Sequence, residues 1–202
     1  MINLAGISGT DRLATTATAT GNTSALSSMG QTPTQRSLNP VFESRVIVNT
    51  ATARTAIGFT DLALGGRILA DTNNSNNEIF FRKTALGTTW QTVTRSAAGI
   101  ETVNATTATT IAMRALRIEV NDLAGKVFFY IDGNLVATHT TGIPLAATRL
   151  GYWVGITTSV AAIATMDVDY IKFWSDDPDS IVAPSNSIIE TSTVSIDYNT
   201  LK

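Results

Sequence analysis

The chain has 202 residues, 44% of them hydrophobic, with 14 basic against 16 acidic residues and no cysteine. That is enough apolar material for one sizeable core. The missing cysteines exclude disulfide staples and thiolate metal sites, and the lack of a basic block leaves nothing to neutralise phosphates, so nucleic acid is not an expected partner. No run of about 18 apolar residues suggests a membrane span, and the opening MINLAGISGTDR has no cationic start followed by an apolar stretch, so neither membrane nor secretory signal is expected.

In chain order, residues 1–39 stand apart. The stretch TTATATGNTSALSSMGQTPTQ, 15–35, is small and polar, with no charge and no aromatic residue. Alone it cannot bury enough apolar area to offset its ordering entropy, and it reads as an extended N-terminal arm. From residue 40 short alternating runs begin, separated by Gly, Asn and Asp, with no sustained 3.6-residue apolar stripe. Strands are expected at 41–49, 54–60, 77–83, 88–94, 99–104 and 148–156, with NEIFFRK and TTWQTVT forming a hairpin around Ala85-Leu86-Gly87.

The most legible segment is RIEVNDLAGKVFFYIDGNLVATHT, 117–140. Leu116, Ile118 and Val120 alternate with Arg117 and Glu119, giving one apolar and one solvated face. A polar turn at 121–126 leads into Val127–Ile131, rich in aromatic and β-branched residues. Asp132-Gly133 then supplies a tight turn into Leu135–Thr140. An antiparallel three-stranded meander follows from this pattern. In the last strand Met166, Val168 and Tyr170 share one parity while Ile171 and Phe173 take the other, which predicts a bulge near 169–171. Residues 176–202 read as a C-terminal arm that begins at DDPDS, 176–180, and IIETSTVSIDY, 188–198, could form a strand if offered an edge.

The run RIEV, turn, VFFYIDG, return strand LVATHT resembles the middle of the concanavalin A-like (laminin-G-like) jelly-roll superfamily. VFESRVIV, 41–48, resembles its opening strand, and IATMDVDYIKFW, 163–174, its closing one. The resemblance covers roughly residues 40–175 and implies an all-β antiparallel jelly-roll β-sandwich, flanked by the arms 1–39 and 176–202. It is poorly specific for activity, because lectins, glycosidases and inert modules share this sandwich.

The glycosidase branch of that superfamily sets carboxylates along one strand in a pattern resembling E-x-D-x-x-E, two of which flank the scissile bond. This chain has no such run. Asp167 and Asp169 in the closing strand, and Glu119 with Asp122, are its nearest approaches, and a solvated face or turn role is favoured for them. His139 is the only histidine; it excludes a multi-histidine metal cluster and would have to be the base of any Ser-His-Asp triad, yet it sits among threonines with no nucleophile elbow nearby and reads as an edge or surface residue. The loop DTNNSNNE offers Asp71, Asn73, Asn74, Asn76 and Glu78 as oxygen ligands for calcium, a weak candidate with only two carboxylates. Trp90, Trp153 and Trp174 could stack on sugar rings, although their apolar strands favour a core or interface role. The N-x-S/T matches at Asn22, Asn73 and Asn104 are read as chance. No catalytic residue and no cofactor is therefore expected, calcium aside.

Together these features point to a non-enzymatic structural protein, similar to a phage capsid-decoration (cement) or fibre-type protein. Its arms would clamp neighbouring subunits in a homo-oligomeric assembly on a virion after synthesis in a host cytoplasm. The alternative is an extracellular carbohydrate-binding, lectin-like module.

Overall fold

The computed structural model describes residues 11–15, 23–27, 34–61, 77–160 and 162–176. Its strands are β1 (Asp11–Ala14), β2 (Thr23–Ser27), β3 (Thr34–Gln35), β4 (Val41–Val48), β5 (Ala53–Thr60), β6 (Glu78–Lys83), β7 (Thr89–Arg95), β8 (Glu101–Thr109), β9 (Arg114–Asn121), β10 (Lys126–Ile131), β11 (Asn134–His139), β12 (Arg149–Thr158) and β13 (Thr165–Trp174). A single 3-10 turn, Arg36–Leu38, is the only helical element among the described residues. The strands form two antiparallel sheets, a front sheet ordered β1-β13-β4-β9-β10-β11 and a back sheet ordered β2-β12-β5-β6-β7-β8, with β3 also paired to β12. This is the jelly-roll sandwich that the sequence implied, and the strands expected between 41 and 174 are all present.

Period-two alternation places the core. Phe42, Ser44, Val46 and Val48 of β4 point inward between the sheets, as do Leu116, Ile118 and Val120 of β9 and Val127, Phe129 and Ile131 of β10. They meet Ile57, Phe59, Ile79, Phe81, Trp90, Tyr152 and Val154 from the back sheet. The rings pack edge to face, Phe81 against Phe129 at 5.4 Å and 87°, and Phe42 against Phe59 at 6.0 Å and 69°.

The bulge expected in the closing strand is present. Val168 pairs with Val46 and Tyr170 with Arg45, so Asp169 is the extra residue. The insertion resets the parity, which lets Met166 and Val168 before it and Ile171 and Phe173 after it all face the core. Ser44, buried beside the bulge, donates its hydroxyl to the Tyr170 carbonyl at 2.8 Å. At the tight turn, Asp132 and Gly133 both take positive φ, 52° and 80°, the backbone of a two-residue hairpin whose twist matches its strands. The Asp132 carboxylate accepts from the Ala115 backbone N–H at 2.9 Å and from Arg114 at 2.7 Å, tying the turn to the start of β9.

The N-terminal segment differs from expectation. Where the arm over 1–39 was expected, β1 pairs along β13 and β2 along β12, so residues 11–14 and 23–27 each lay an outer strand on a sheet. Leu13 joins the core. Thr15 accepts the Ala164 N–H on its hydroxyl at 2.9 Å and donates its own N–H to the Ala164 carbonyl at 2.9 Å. Composition misled here because threonine and alanine lack bulk yet fit a pleated edge, where the neighbouring strand supplies the hydrogen bonds that the segment lacks in isolation. The boundary at 39/40 is therefore not an edge of the sandwich. Residues 177–202 lie outside the described residues.

Candidate functional site

The outer face of the front sheet carries an open depression of about 340 Å³ lined by Glu43, Ala115, Arg117, Glu119, Tyr130 and Gly133, within the range typical of small-molecule sites. Strand register builds it. Lys172 of β13 lies opposite Glu43 of β4, Glu43 opposite Arg117 of β9, and Arg117 opposite Tyr130 of β10, so a plus–minus–plus–aromatic row crosses four strands. Ala115, with its small side chain, and Gly133 at the turn leave the hollow.

Glu43 accepts from the Tyr170 hydroxyl at 2.7 Å and from Lys172 Nζ at 3.2 Å, with Arg117 Nη1 at 3.7 Å. Partial burial alone raises its carboxyl, but these hydrogen bonds and the charges of Lys172 and Arg117 outweigh burial and hold it below the ordinary range. Glu119 accepts from Arg117 Nη2 at 2.5 Å and from the Tyr130 hydroxyl at 3.2 Å. Burial, with Glu119 next to it, pushes the Tyr130 phenol up; burial and the Glu43 carboxylate do the same to Tyr170. Both phenols therefore stay protonated as donors. Arg117 also stacks on the Trp174 ring, 5.4 Å from its centroid. Two carboxylates bridged by one guanidinium, beside three aromatic side chains, can hydrogen-bond hydroxyls in both directions and offer faces for apolar ring edges.

The outer face of the back sheet has another character. Ala56, Phe80, Val93 and Trp153 form a second apolar cluster, all but excluded from solvent. Gly155 makes room for the indole of Trp153, since a Cβ there would lie 2.3 Å from its Nε1. Alongside runs a buried ion network. Arg95 Nη1 meets Glu78 at 2.6 Å, Arg95 Nε meets Glu101 at 2.7 Å, and Arg82 Nη1 meets Glu101 at 3.2 Å. Lys83, one residue on and turned inward, donates to the carbonyls of Ala51 and Ala53 at 2.6 Å each and of Thr84 at 3.1 Å. Read from Glu78, the run EIFFRK places Phe80 and Lys83 where the glycosidase motif has Asp and Glu, and its one carboxylate is engaged by Arg95.

The residues singled out by sequence are dispersed. Trp90 is fully buried between the sheets, against Phe81, and cannot meet a sugar. Trp153 is taken up by the back-sheet cluster, and of the three tryptophans only Trp174, 37% exposed, stands at an accessible rim. Asp71, Asn73, Asn74 and Asn76 lie outside the described residues, while Glu78 sits in β6 on Arg95. Among the described residues no group of three or more His, Cys, Asp and Glu side chains gathers as a metal site. Asp167 is held by Arg12, at 2.6 and 2.9 Å, and by Asn49 at 3.0 Å; the Arg12 hydrogen bond, the strongest influence, keeps its carboxyl below the ordinary range. Asp169 pairs separately with Arg45 at 3.0 Å, and Asp122 pairs with Arg36. Neither carboxylate couple comes together as a pair, in keeping with the solvated-face and turn roles expected of them, but Glu119 does reach the depression. Glu43, Arg117, Tyr130 and Tyr170 were not singled out, although each occupies an outward position of its alternating strand.

His139 is not a surface residue. It lies buried on β11, the outermost strand of the front sheet, 4.8 Å from the Phe129 ring centroid, and reaches across to the back sheet. Thr94 Oγ1 donates to the Thr141 carbonyl at 2.8 Å, so toward His139 Nδ1, also 2.8 Å away, it accepts. The proton is thereby assigned to Nδ1, and Thr92 donates to Nε2 at 3.0 Å. Burial lowers the imidazole pKa to about 4. The unfolded chain, near the ordinary value of about 6.5, takes the proton first. Stability is thus complete above about pH 6.5 and falls as pH drops toward 4, at no more than about 1.4 kcal/mol per pH unit for one proton. Urea melts across this range check the slope, and His139→Gln should flatten it; an unchanged slope would mean that His139 does not set it.

No protein-family model and no curated protein matches the sequence. Solved structures do match in fold. The catalytic domain of an endo-1,3-β-glucanase (laminarinase) from Thermotoga petrophila RKU-1 superposes with TM-score 0.55 at 12% identity, covering 84% of this chain and 79% of that one. The Crh5 transglycosylase gives 0.59 at 12%, covering 87% and 82%. A β-1,3-1,4-glucanase (lichenase) from a mouse hindgut metagenome gives 0.58 at 12%, covering 82% and 80%. The chain shares the antiparallel jelly-roll sandwich fold of these structures. At this identity the likeness speaks for the fold alone. It corrects one expectation all the same: these neighbours are glycoside hydrolases and a transglycosylase, so the reading of a chain without enzymatic activity is withdrawn. That reading came from searching for carboxylate spacing along one strand. The depression instead draws Glu43 and Glu119 from two strands, which no such search can see.

Proposed function

We propose that this chain is a carbohydrate-active β-sandwich that holds a saccharide across the outer face of its front sheet. The observation that carries the reading is the depression itself, with Glu43, Arg117, Glu119 and Tyr130 converging from three strands and Trp174 beside Arg117. Carboxylates and a guanidinium recognise sugar hydroxyls, aromatic faces take the ring, and the near-balance of charge in the row suits a neutral glycan. The fold shared with glucanases supports the same class of ligand.

The test uses β-1,3-glucan and β-1,3-1,4-glucan oligosaccharides, the linkages for which the laminarinase and lichenase are named. Binding is followed by calorimetry and by tryptophan emission, where Trp174 reports because Trp90 and Trp153 are buried. Tyr130→Ala and Glu119→Gln are each expected to weaken binding about tenfold, equivalent to ~1.4 kcal/mol. Release of reducing ends, measured in parallel and lost in both Glu43→Gln and Glu119→Gln, would assign the two carboxylates to hydrolysis. Silence on a broad glycan array, or affinities untouched by both variants, would overturn the reading.

A second reading, a structural virion component that clamps its neighbours, is favoured by the small, uncharged composition of residues 15–35. It has less chain to work with than the composition suggested, because β1, β2 and β3 are engaged on their own sandwich. A large, stable native mass for the purified protein supports it; a monomer that binds glycan does not.

A further inference from the structure

At one side of the sandwich the back sheet ends in β8, which pairs only with β7. Among the described residues nothing bonds to its other edge. An open edge strand is a template for another strand, and natural monomers guard such edges with lysine, proline, inward charges or short length. β8 has little of this. ETVNATTAT contains no lysine and no proline, and its one charge, Glu101, is already held by Arg95 and Arg82. A bulge breaks the ladder between the pairs Gln91–Ala105 and Thr89–Thr109, leaving Glu101–Ala105 as a regular, unbroken segment. Apolar side chains are exposed along it and at its flanks: Ile100 at 56%, Val103 at 37% and Ile111 at 68%.

We propose that β8 pairs antiparallel with β8 of a second copy of this chain, about a two-fold axis at Val103. In that register Val103 faces its own copy, Thr102 faces Asn104, and Glu101 faces Ala105, so no like charges meet. Val103 lies opposite Val93 of the back-sheet cluster, and pairing joins the two clusters into one apolar strip, Val93–Val103–Val103–Val93. A self-complementary patch of this kind is what an isologous two-fold contact requires. The other outer strand on this side, β11, is a poorer match, because a register shift interrupts its ladder and the charged Asp132 stands at its turn. Pairing through β8 leaves the front-sheet depression open in both copies.

The test measures the mass of the full chain by light scattering and native mass spectrometry across a dilution series. A dimer is expected for the unmodified protein, and Val103→Lys, which sets two ammonium groups face to face, should return it to a folded monomer that melts where the unmodified protein does once diluted to monomer. Because the chain has no cysteine, Val103→Cys offers an independent readout that requires only a folded protein. Oxidation should give a covalent dimer within minutes, whereas Leu123→Cys, at a fully exposed turn position, should not. An unmodified protein that stays monomeric at every concentration overturns the proposal, as does a Val103→Lys variant that still dimerises. Loss of the dimer on deleting residues 177–202 would assign the contact to the chain's own C-terminal segment and overturn it equally.

Discussion

Replacing Arg95 by alanine is expected to destabilise the sandwich by about 3–5 kcal/mol, the usual cost of removing one partner of a buried ion pair. Arg95 and Glu78 are each almost wholly buried, and the guanidinium spans two carboxylates, meeting Glu78 through Nη1 and Glu101 through Nε and Nη2. Its plane also lies over the Phe80 ring, 5.7 Å from the centroid. Alanine would remove that stack and take the Arg95 guanidinium away from a fully buried carboxylate. Lysine should not rescue the site, because one ammonium cannot reproduce a fork aimed at two acceptors. The comparison is Arg45→Ala, which breaks the more exposed pair with Asp169, its side chain 52% exposed; a loss below about 1 kcal/mol is expected there. Urea denaturation of both variants decides the matter. If Arg95→Ala costs no more than Arg45→Ala, the network does not hold the back sheet.

Deleting residues 1–39 is expected to weaken the sandwich itself. The deletion strips β1 from β13 and β2 from β12, baring the edges of both sheets at once. It removes Leu13 from the core, worth about 2 kcal/mol by burial alone, together with the paired Thr15–Ala164 bonds. It also takes away Arg36 from Asp122, and Asn39, whose side chain accepts from the Asp122 N–H at 2.8 Å and donates to Asp176 at 2.6 Å. A lower melting temperature and a tendency to aggregate through the exposed edges are the expected results. A truncated protein that melts where the full chain does would restore the picture of a detachable arm.

Sequence reading succeeded where its signal was local and failed where it was not. Alternation identified which face of β9 and β10 is buried, and the parity break in the closing strand located the bulge at Asp169, because both are local consequences of a two-residue period. The same rule put Arg117 and Glu119 on an outer face. It could not say that Glu43, some seventy positions earlier, would stand opposite Arg117, since inter-strand register arises from pairing across the whole sheet. Trp90 and Trp153 look alike in sequence, each within an apolar strand. They part because they stand on opposite faces of the back sheet, so that one indole enters the inter-sheet core and the other the outer cluster.

By itself, then, the sequence determined the all-β class, the meander and its turns, and nearly every strand boundary from Val41 to Trp174, because pattern and turn chemistry act over a few residues. The tertiary structure alone decided the rest. It took up residues 11–14 and 23–27 as two outer strands, buried the single histidine as a link between sheets, and gathered Glu43, Arg117, Glu119 and Tyr130 into one depression. Each of these depends on contacts between residues far apart in the chain, which form only when sheet edges and faces find partners, and the composition of a segment carries no record of the partner it will meet.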